Sequence, residues 1–313
     1  MNTRKGEKTI TLDNEFLLQD RLQKIKQIIN QYGEENFYVS FSGGKDSTVL
    51  SALVDMAIPG NQIPRVFADT GIEFNMIRDF VKSKAKNDSR FIMIKPSVPI
   101  KPMLEKYGYP FKSKNHAAVV ASYQRNGTKN LWVQRYLSGY YSRWATCPKI
   151  LRYQFSPDFN LKISDKCCHY LKTNPLKQWQ KENKRPYGLL GLMPSEGGRR
   201  KTAKCLVFSR KKLKNFQPLV PVTKSWEDWF IEKYNVEICD IYKPPYNMER
   251  TGCKGCPFNL VLQTDLDMME KYLPEEKKQC ERIWEPVYRE YRRLNYRLRP
   301  NTEKQITFKD DEQ

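Results

Sequence analysis

Three observations predict an α/β fold, a doubly wound, mostly parallel sheet with an appended cysteine-bearing region. Short apolar runs at 37–41, 64–68 and 91–94 alternate with stretches of helical periodicity. A glycine-bearing loop at 42–47 lies between the first run and the helix after it. Cysteines gather later in the chain, as the adjacent pair Cys167 and Cys168 and as Cys253 and Cys256 in a CxxC spacing.

Each element has its own sequence reason. Leu18, Leu22, Ile25 and Ile29 recur at helical spacing, predicting an amphipathic helix over 15–32. The run 37–41 is strand-like, and Val49, Leu50, Leu53 and Val54 give the helix at 46–56 a packing face. The run 64–68 ends at Asp69-Thr70-Gly71, and Phe74, Ile77, Phe80 and Val81 predict a helix over 73–84. Strands alternating with helices imply a sheet whose ligands sit beyond the strand carboxyl ends.

From Pro96 onward, Pro99, Pro102, Gly108 and Pro110 predict loops that close over a substrate. A short helix is expected over 130–139, followed by the aromatic and basic stretch 140–144. The run 186–192 reads as a strand entering a polar turn that contains Glu196, Arg199 and Arg200. Trp226, Trp229 and Phe230 predict a helix within 222–234, and the basic, aromatic stretch 288–298 is also helical in pattern. The division expected is 1–245 for the core with the first cysteine pair, and 246–313 for the second pair with the basic helical region.

Composition sets bounds. The chain has 313 residues, 39% of them hydrophobic, enough for one substantial core and a smaller second one. Its 55 Lys plus Arg against 35 Asp plus Glu give a formal net charge of +20, which favours an anionic partner or substrate. No run approaches the length of a membrane span and the start lacks a signal-peptide core, so a soluble, cytoplasmic protein with no membrane partner is expected. In that compartment eight cysteines suggest metal or cluster ligation more than disulfides, and two histidines exclude a histidine-rich metal site.

The loop Ser42-Gly43-Gly44-Lys45-Asp46-Ser47 has the context that gives such a loop chemical meaning, a strand before it and a helix after it. Its glycines let backbone approach a polyphosphate, the helix amino terminus attracts anions, and Ser42 and Ser47 offer hydroxyl donors. Lys45 adds positive charge. The longer GK[ST] loop of nucleoside triphosphatases is absent.

This hexapeptide resembles the signature of the adenine-nucleotide alpha-hydrolase (ATP pyrophosphatase) superfamily. Within it, the chain looks like the phosphoadenosine phosphosulfate reductase family, through Asp69-Thr70-Gly71, Glu196 with Arg199 and Arg200, and the run 252–258. The motifs follow the family's order over about 37–258. The resemblance implies an adenine-nucleotide alpha-hydrolase-like fold, with Ser42, Gly43, Gly44, Asp46 and Ser47 around phosphates and Thr70 and Gly71 shaping the next loop. It places Asp69 near the nucleotide or its Mg2+, the other reading being a helix cap. Lys45, Asp46, Asp69, Glu196, Arg199 and Arg200 are its catalytic candidates, although a solvated basic turn competes for the last three.

The segment 166–176, with Cys167 and Cys168, resembles the paired-cysteine segment of iron–sulfur adenylyl sulfate reductases, and Cys253 and Cys256 match their second pair. A [4Fe-4S] cluster is thereby implied, with zinc the alternative. Cys147 and Cys280 remain uncertain thiols, Cys239 reads as a buried strand residue, and His169 reads as a neighbour of the cluster rather than a ligand.

The leading expectation is ATP-dependent adenylation with pyrophosphate release in a sulfur-transfer pathway, as in relatives that modify nucleic acid with sulfur. The enzymatic alternative is reduction of adenylyl sulfate or phosphoadenylyl sulfate. A third is a non-catalytic, nucleotide-gated nucleic-acid-binding module, motivated by the arginines and tyrosines of 288–299. Implied partners are an adenine nucleotide, DNA or RNA, a cysteine desulfurase or other sulfur donor, and thioredoxin only for a reductase. The resembled reductases use a nucleophilic cysteine in a mobile carboxyl-terminal motif, and the last cysteine here is Cys280, so autonomous reduction is not expected.

Overall fold

The computed structural model describes residues 4–140, 146–194 and 202–300. In chain order the first elements are α1 (Arg4–Tyr32), β1 (Phe37–Ser40), α2 (Lys45–Ala57), β2 (Arg65–Ala68), α3 (Asn75–Asn87) and β3 (Phe91–Ile94). Next come α4 (Ile100–Tyr107), α5 (Lys114–Asn126), α6 (Leu131–Ser138), α7 (Asn174–Glu182) and β4 (Tyr187–Leu189). The last are β5 (Leu206–Ser209), β6 (Lys212–Phe216), α8 (Lys224–Lys233), α9 (Leu262–Tyr272) and α10 (Pro274–Arg293).

Contacts divide the chain into two compact units. Unit 1 is Met1–Asp69, Asn75–Pro96 and Asn174–Thr251; unit 2 is Thr70–Phe74, Ser97–Thr173 and Gly252–Gln313. The units interleave along the chain instead of separating once near residue 245, and both cysteine pairs fall in unit 2. A cysteine-bearing region does exist, but its packing is assembled from three separated segments.

Unit 1 carries a six-stranded sheet in the order β3-β2-β1-β4-β6-β5. All neighbouring pairs are parallel except the β5–β6 hairpin. The sheet is mostly parallel as expected, although helices make up far more of the described chain than strands do. The strand β1 alternates between two cores. Phe37 and Val39 join Ile25 and Ile29 of α1, Val49 and Leu53 of α2, and Trp226 and Phe230 of α8. Tyr38 faces Val66 and Trp179 of α7. Burial on both faces explains why these strands read as continuous apolar runs.

The hairpin was not foreseen. Arg210 and Lys211 adopt positive φ of 48° and 65° and close the turn between β5 and β6, so residues 210–214 form a turn and the start of β6, which lies between β4 and the edge strand β5.

Unit 2 overturns the expectation of loops after Pro96. Pro99 is the N-cap of α4 and Pro102 lies in its first turn, where the missing N–H costs no helical hydrogen bond. Ser113 caps α5 by accepting from His116 N, and Asn130 caps α6 by accepting from Trp132 N. Cys239 is buried, but it caps a 3-10 turn over Asp240–Tyr242 rather than lying in a strand. No described helix is long and apolar enough to cross a membrane.

Candidate functional site

The sheet order reverses at β1, whose neighbours are β2 on one side and β4 on the other. The crevice beyond the carboxyl end of such a strand is where doubly wound folds bind ligands. The loop 42–47 begins there and runs into α2, so all of its named residues come together.

Hydroxyls organise this loop from within. Ser42 Oγ lies 3.0 Å from Ser47 Oγ, and Ser47 Oγ also accepts from Ser42 N at 3.1 Å. Gly44 N donates to Ser42 Oγ at 3.3 Å, while Ser47 and Thr48 donate to Gly44 O, each at 2.9 Å. Gly43 has φ of +71°, and a Cβ there would stand 2.9 Å from Ile77 Cγ2, so both backbone angle and space demand glycine. Lys45 reaches Asp228, Nζ to Oδ1 at 3.8 Å, and lies over the Tyr242 ring. It is held inside unit 1 by these neighbours.

Asp46 faces a residue that sequence reasoning treated only as part of a packing helix. Glu227 of α8 is buried, within hydrogen-bonding reach of Asp46, and its Oε1 has no hydrogen-bond partner. Burial first, then the charge of Asp46, pushes the Glu227 carboxyl up to about 8, while Lys45 opposes the shift. An acidic residue directly after core-facing Trp226 was the available signal.

Asp69 ends unit 1. Its backbone N donates to Ile94 O at 2.8 Å, and its carboxylate meets Arg78 through Nε–Oδ1 at 3.0 Å and Nη2–Oδ2 at 3.1 Å. Asp69 is therefore part of a two-pronged ion pair, and a cation there would compete with the guanidinium. Thr70 begins a segment of unit 2, with N and Oγ1 both donating to Glu73, and Gly71 follows with φ of +80°. Glu196, Arg199 and Arg200 lie outside the described residues.

Unit 2 contains all four proposed ligand cysteines. Cys167 is buried and Cys168 half-buried, just before a π-helical turn over His169–Thr173. The Cys167 thiol is pushed up first by its hydrogen bond with Cys168, then by burial, with further repulsion from Cys256 and Cys253. Cys168 is held down by the same bond, aided by Lys114 and Lys172. Burial raises Cys253, and raises Cys256 to about 12 with the charge of Cys253 adding to it. Lys172 is raised first by Cys253, and its Nζ lies 3.1 Å from Glu73 Oε1. The two pairs thus act on one another electrostatically beside a cation that sequence reasoning did not assign.

Among the described residues, no three His, Cys, Asp or Glu side chains form a group able to hold a metal ion. Neither the cluster nor the zinc alternative therefore has a described coordination site. Four cysteine thiols within one unit are the donor chemistry that an iron–sulfur cluster takes, although the described geometry does not gather three of them into a ligating group.

The helix α10 determines the shape of the CxxC loop. Trp284 Nε1 donates to Lys254 O at 3.1 Å, Tyr288 OH to Gly255 O, and Tyr291 OH to Pro257 O at 2.8 Å. Buried Lys254 pairs with Glu276 at 2.7 Å. Tyr288 and Tyr291 are fully buried, which corrects their suggested role in stacking on nucleic acid. Arg289, Arg292 and Arg293 of α10 pair with Glu285, Glu281 and Glu290, and Arg299 beyond the helix pairs with Asp267, so much of this region's positive charge is met within the protein.

The uncertain thiols are both enclosed. Cys147 is buried, and burial pushes it up to about 11; Cys280 is fully buried beneath Gly255 and raised to about 12 for the same reason. Neither has the exposed, thiolate-favouring setting of a reactive cysteine.

Comparison with known proteins adds a domain type. Residues 36–146 match the model of the phosphoadenosine phosphosulfate reductase domain. An uncharacterised protein of Methanocaldococcus jannaschii is 36% identical over 103 residues, 30% of this chain and 25% of the relative. The chain thus spans about a quarter of that relative's length. A phosphoadenylyl-sulfate reductase from Candida auris, solved as a phosphate complex, aligns with 12% identity and TM-score 0.42 over 74% of this chain and 93% of the other. A U34-tRNA thiolase from Methanococcus maripaludis, solved with its [4Fe-4S] cluster, aligns with 16% identity and TM-score 0.39 over 90% and 80%. The chain carries a phosphoadenosine phosphosulfate reductase-like domain over part of its length.

Proposed function

We propose that this chain is an adenine-nucleotide-dependent enzyme of sulfur chemistry, with reduction of adenylyl sulfate or its 3'-phosphorylated form as its first candidate reaction. The observation that carries the reading is the 42–47 loop at the sheet's switch point, within the segment matching the reductase domain. Ser42, Gly43, Gly44 and Ser47 would receive the nucleotide's phosphate through backbone N–H and hydroxyl donors. Lys45, Asp46 and Asp69 would orient it, and Glu196, Arg199 and Arg200 would meet its anionic end. Thr70 and Gly71 would shape the neighbouring loop.

In this reading Cys167, Cys168, Cys253 and Cys256 would hold a [4Fe-4S] cluster. Such a cluster supplies an iron–sulfur centre whose potential depends on charge and hydrogen bonds around its sulfurs. The chain's own residues supply Lys172 as a cation beside Cys253, and α10 as the clamp on the Cys253–Cys256 turn.

ATP-dependent adenylation with pyrophosphate release is the second reading, and burial of Cys147 and Cys280 favours it. Reduction requires a thiolate that reaches sulfur, and these two thiols are enclosed and raised. There the loop would bind the phosphates of ATP, with Mg2+ and the arginines offsetting charge at the reacting phosphorus.

One assay pair separates the readings. Anaerobically purified protein is given adenylyl sulfate or phosphoadenylyl sulfate with reduced thioredoxin and scored for sulfite. In parallel it is given ATP, Mg2+ and candidate nucleic acids with a sulfur donor, and scored for pyrophosphate. Sulfite without pyrophosphate would support reduction, pyrophosphate without sulfite would transfer the assignment to adenylation, and binding of no adenine nucleotide would defeat both.

A further inference from the structure

We propose that Glu227 is a positioning residue for the phosphate loop, sharing one proton with Asp46, and that loss of this proton weakens anion binding at 42–47. The inference rests on the nucleotide reading and deepens it by adding a control on the same loop.

The geometry creates a proton requirement. Two ionised carboxylates have only acceptors, so a hydrogen bond between them needs a proton on one. Glu227 is 2% exposed, faces Asp46, and has a buried Oε1 without a donor. Ionising both groups would leave two like charges in contact, one of them cut off from water.

The surrounding groups define how much relief is available. From α2, Asp46 and Lys45 act on Glu227, and from α8 itself Asp228 does. Lys45 is the one cation among these groups, and it is also engaged by Asp228. Helix α1 meets α8 through Asn14 O, which accepts from Trp226 Nε1, and through Glu15, which pairs with Lys233 near the other end of α8. The core side chains there, including Leu189, Phe216 and Phe230, are apolar. One negative charge on the pair is therefore offset by Lys45, whereas a second is not.

This position couples the proton to the loop. Asp46 lies in the first turn of α2, and Gly191 approaches that turn so closely that a Cβ would stand 2.7 Å from Asp46 O. The helix start has little room to move away from an added charge. A bound sulfate or phosphate would meet that charge directly, so affinity should fall as the pair loses its proton.

The test measures calorimetric affinity for adenylyl sulfate, and separately for inorganic sulfate, from about pH 7 to about pH 9. Both anions stay fully ionised across this range. Unmodified protein should lose about tenfold in affinity, the change in protonated fraction of a group titrating near 8. Glu227→Gln, which keeps a donor toward Asp46 and cannot ionise, should bind as the unmodified protein does at the lower pH and show a flat profile. An unchanged pH dependence in E227Q would overturn the proposal.

If sulfate shows the pH loss but adenylyl sulfate never binds, the nucleotide reading falls and the positioning role stands. Binding of neither anion at any pH overturns both. Should E227Q fold poorly, carboxyl-carbon NMR of the unmodified protein carries the test. A Glu227 resonance titrating far above the ordinary carboxylate range supports the shared proton, and its absence overturns it.

Discussion

The phosphate loop of unit 1 and the CxxC loop of unit 2 solve the same problem, holding a tight, glycine-containing turn, by different means. The first is held by its own hydroxyls and by the strand and helix on either side of it in sequence. The second is held by α10, whose Trp284, Tyr288 and Tyr291 reach back 30, 33 and 34 residues to the carbonyls of Lys254, Gly255 and Pro257. The hydrogen bonds that shape the first loop are local, although Gly43, Lys45 and Asp46 also meet α3 and α8, whereas those that shape the second come from one distant helix.

The largest effect should come from the remotely held loop. Gly255 has φ of +61°, and a Cβ there would lie 2.5 Å from Tyr288 Oη and 2.8 Å from Cys280 Sγ. Gly255→Ala should destabilise unit 2 by about 2 to 4 kcal/mol. It should also raise the reactivity of Cys253 and Cys256 toward alkylating reagents while leaving nucleotide affinity unchanged. Thermal unfolding with thiol labelling measures the first two, and an unaltered melting temperature would break the comparison.

Acid should separate the regions next. His116 of α5 is fully buried, with Nδ1 2.9 Å from Tyr136 Oη and Nε2 2.7 Å from Gln154 Oε1. Burial lowers it from 6.5 to about 4. The unfolded chain therefore binds the proton first, so stability is fully present above about pH 6.5 and is lost as pH falls toward 4. The loss should reach about 3 kcal/mol and be confined to unit 2. Hydrogen exchange in α5 and α6 against α2 checks it; equal acid sensitivity in both would contradict the assignment.

The smallest effect belongs to the locally held loop. Ser42→Ala removes one hydroxyl of a set in which Ser47 still reaches Gly44 O. Stability should fall by about 1 kcal/mol or less, and adenylyl sulfate affinity by about fivefold. Calorimetry on the folded variant is the measurement, and a loss as large as that of Gly255→Ala in stability would show that the two loops are not held differently.

Much of unit 1 was legible in sequence because its determinants are neighbours in sequence. Apolar runs marked β1, β2 and β3, helical spacing marked α1, α2, α3 and α8, and the 42–47 motif stood between two of them. The β5–β6 hairpin escaped because its turn is made by Arg210 and Lys211, residues that rarely adopt positive φ and carry no turn signature. Helix α4 escaped because its prolines, Pro99 at the N-cap and Pro102 in the first turn, resemble prolines that break a helix.

By itself the sequence determined the parallel sheet, its phosphate-loop motif, and the presence of two cysteine pairs in order. Those features depend on periodicity and short spacings, which are visible without coordinates. Tertiary structure decided that the pairs belong to one unit, that Lys172 stands beside Cys253, and that Glu227 faces Asp46. It also turned the tyrosines of α10 inward, from an apparent nucleic-acid surface to a clamp on Gly255 and Pro257. The physical reason is that burial and charge proximity arise between residues far apart in the chain, and a sequence pattern records only what each residue is and not which distant partner removes it from water.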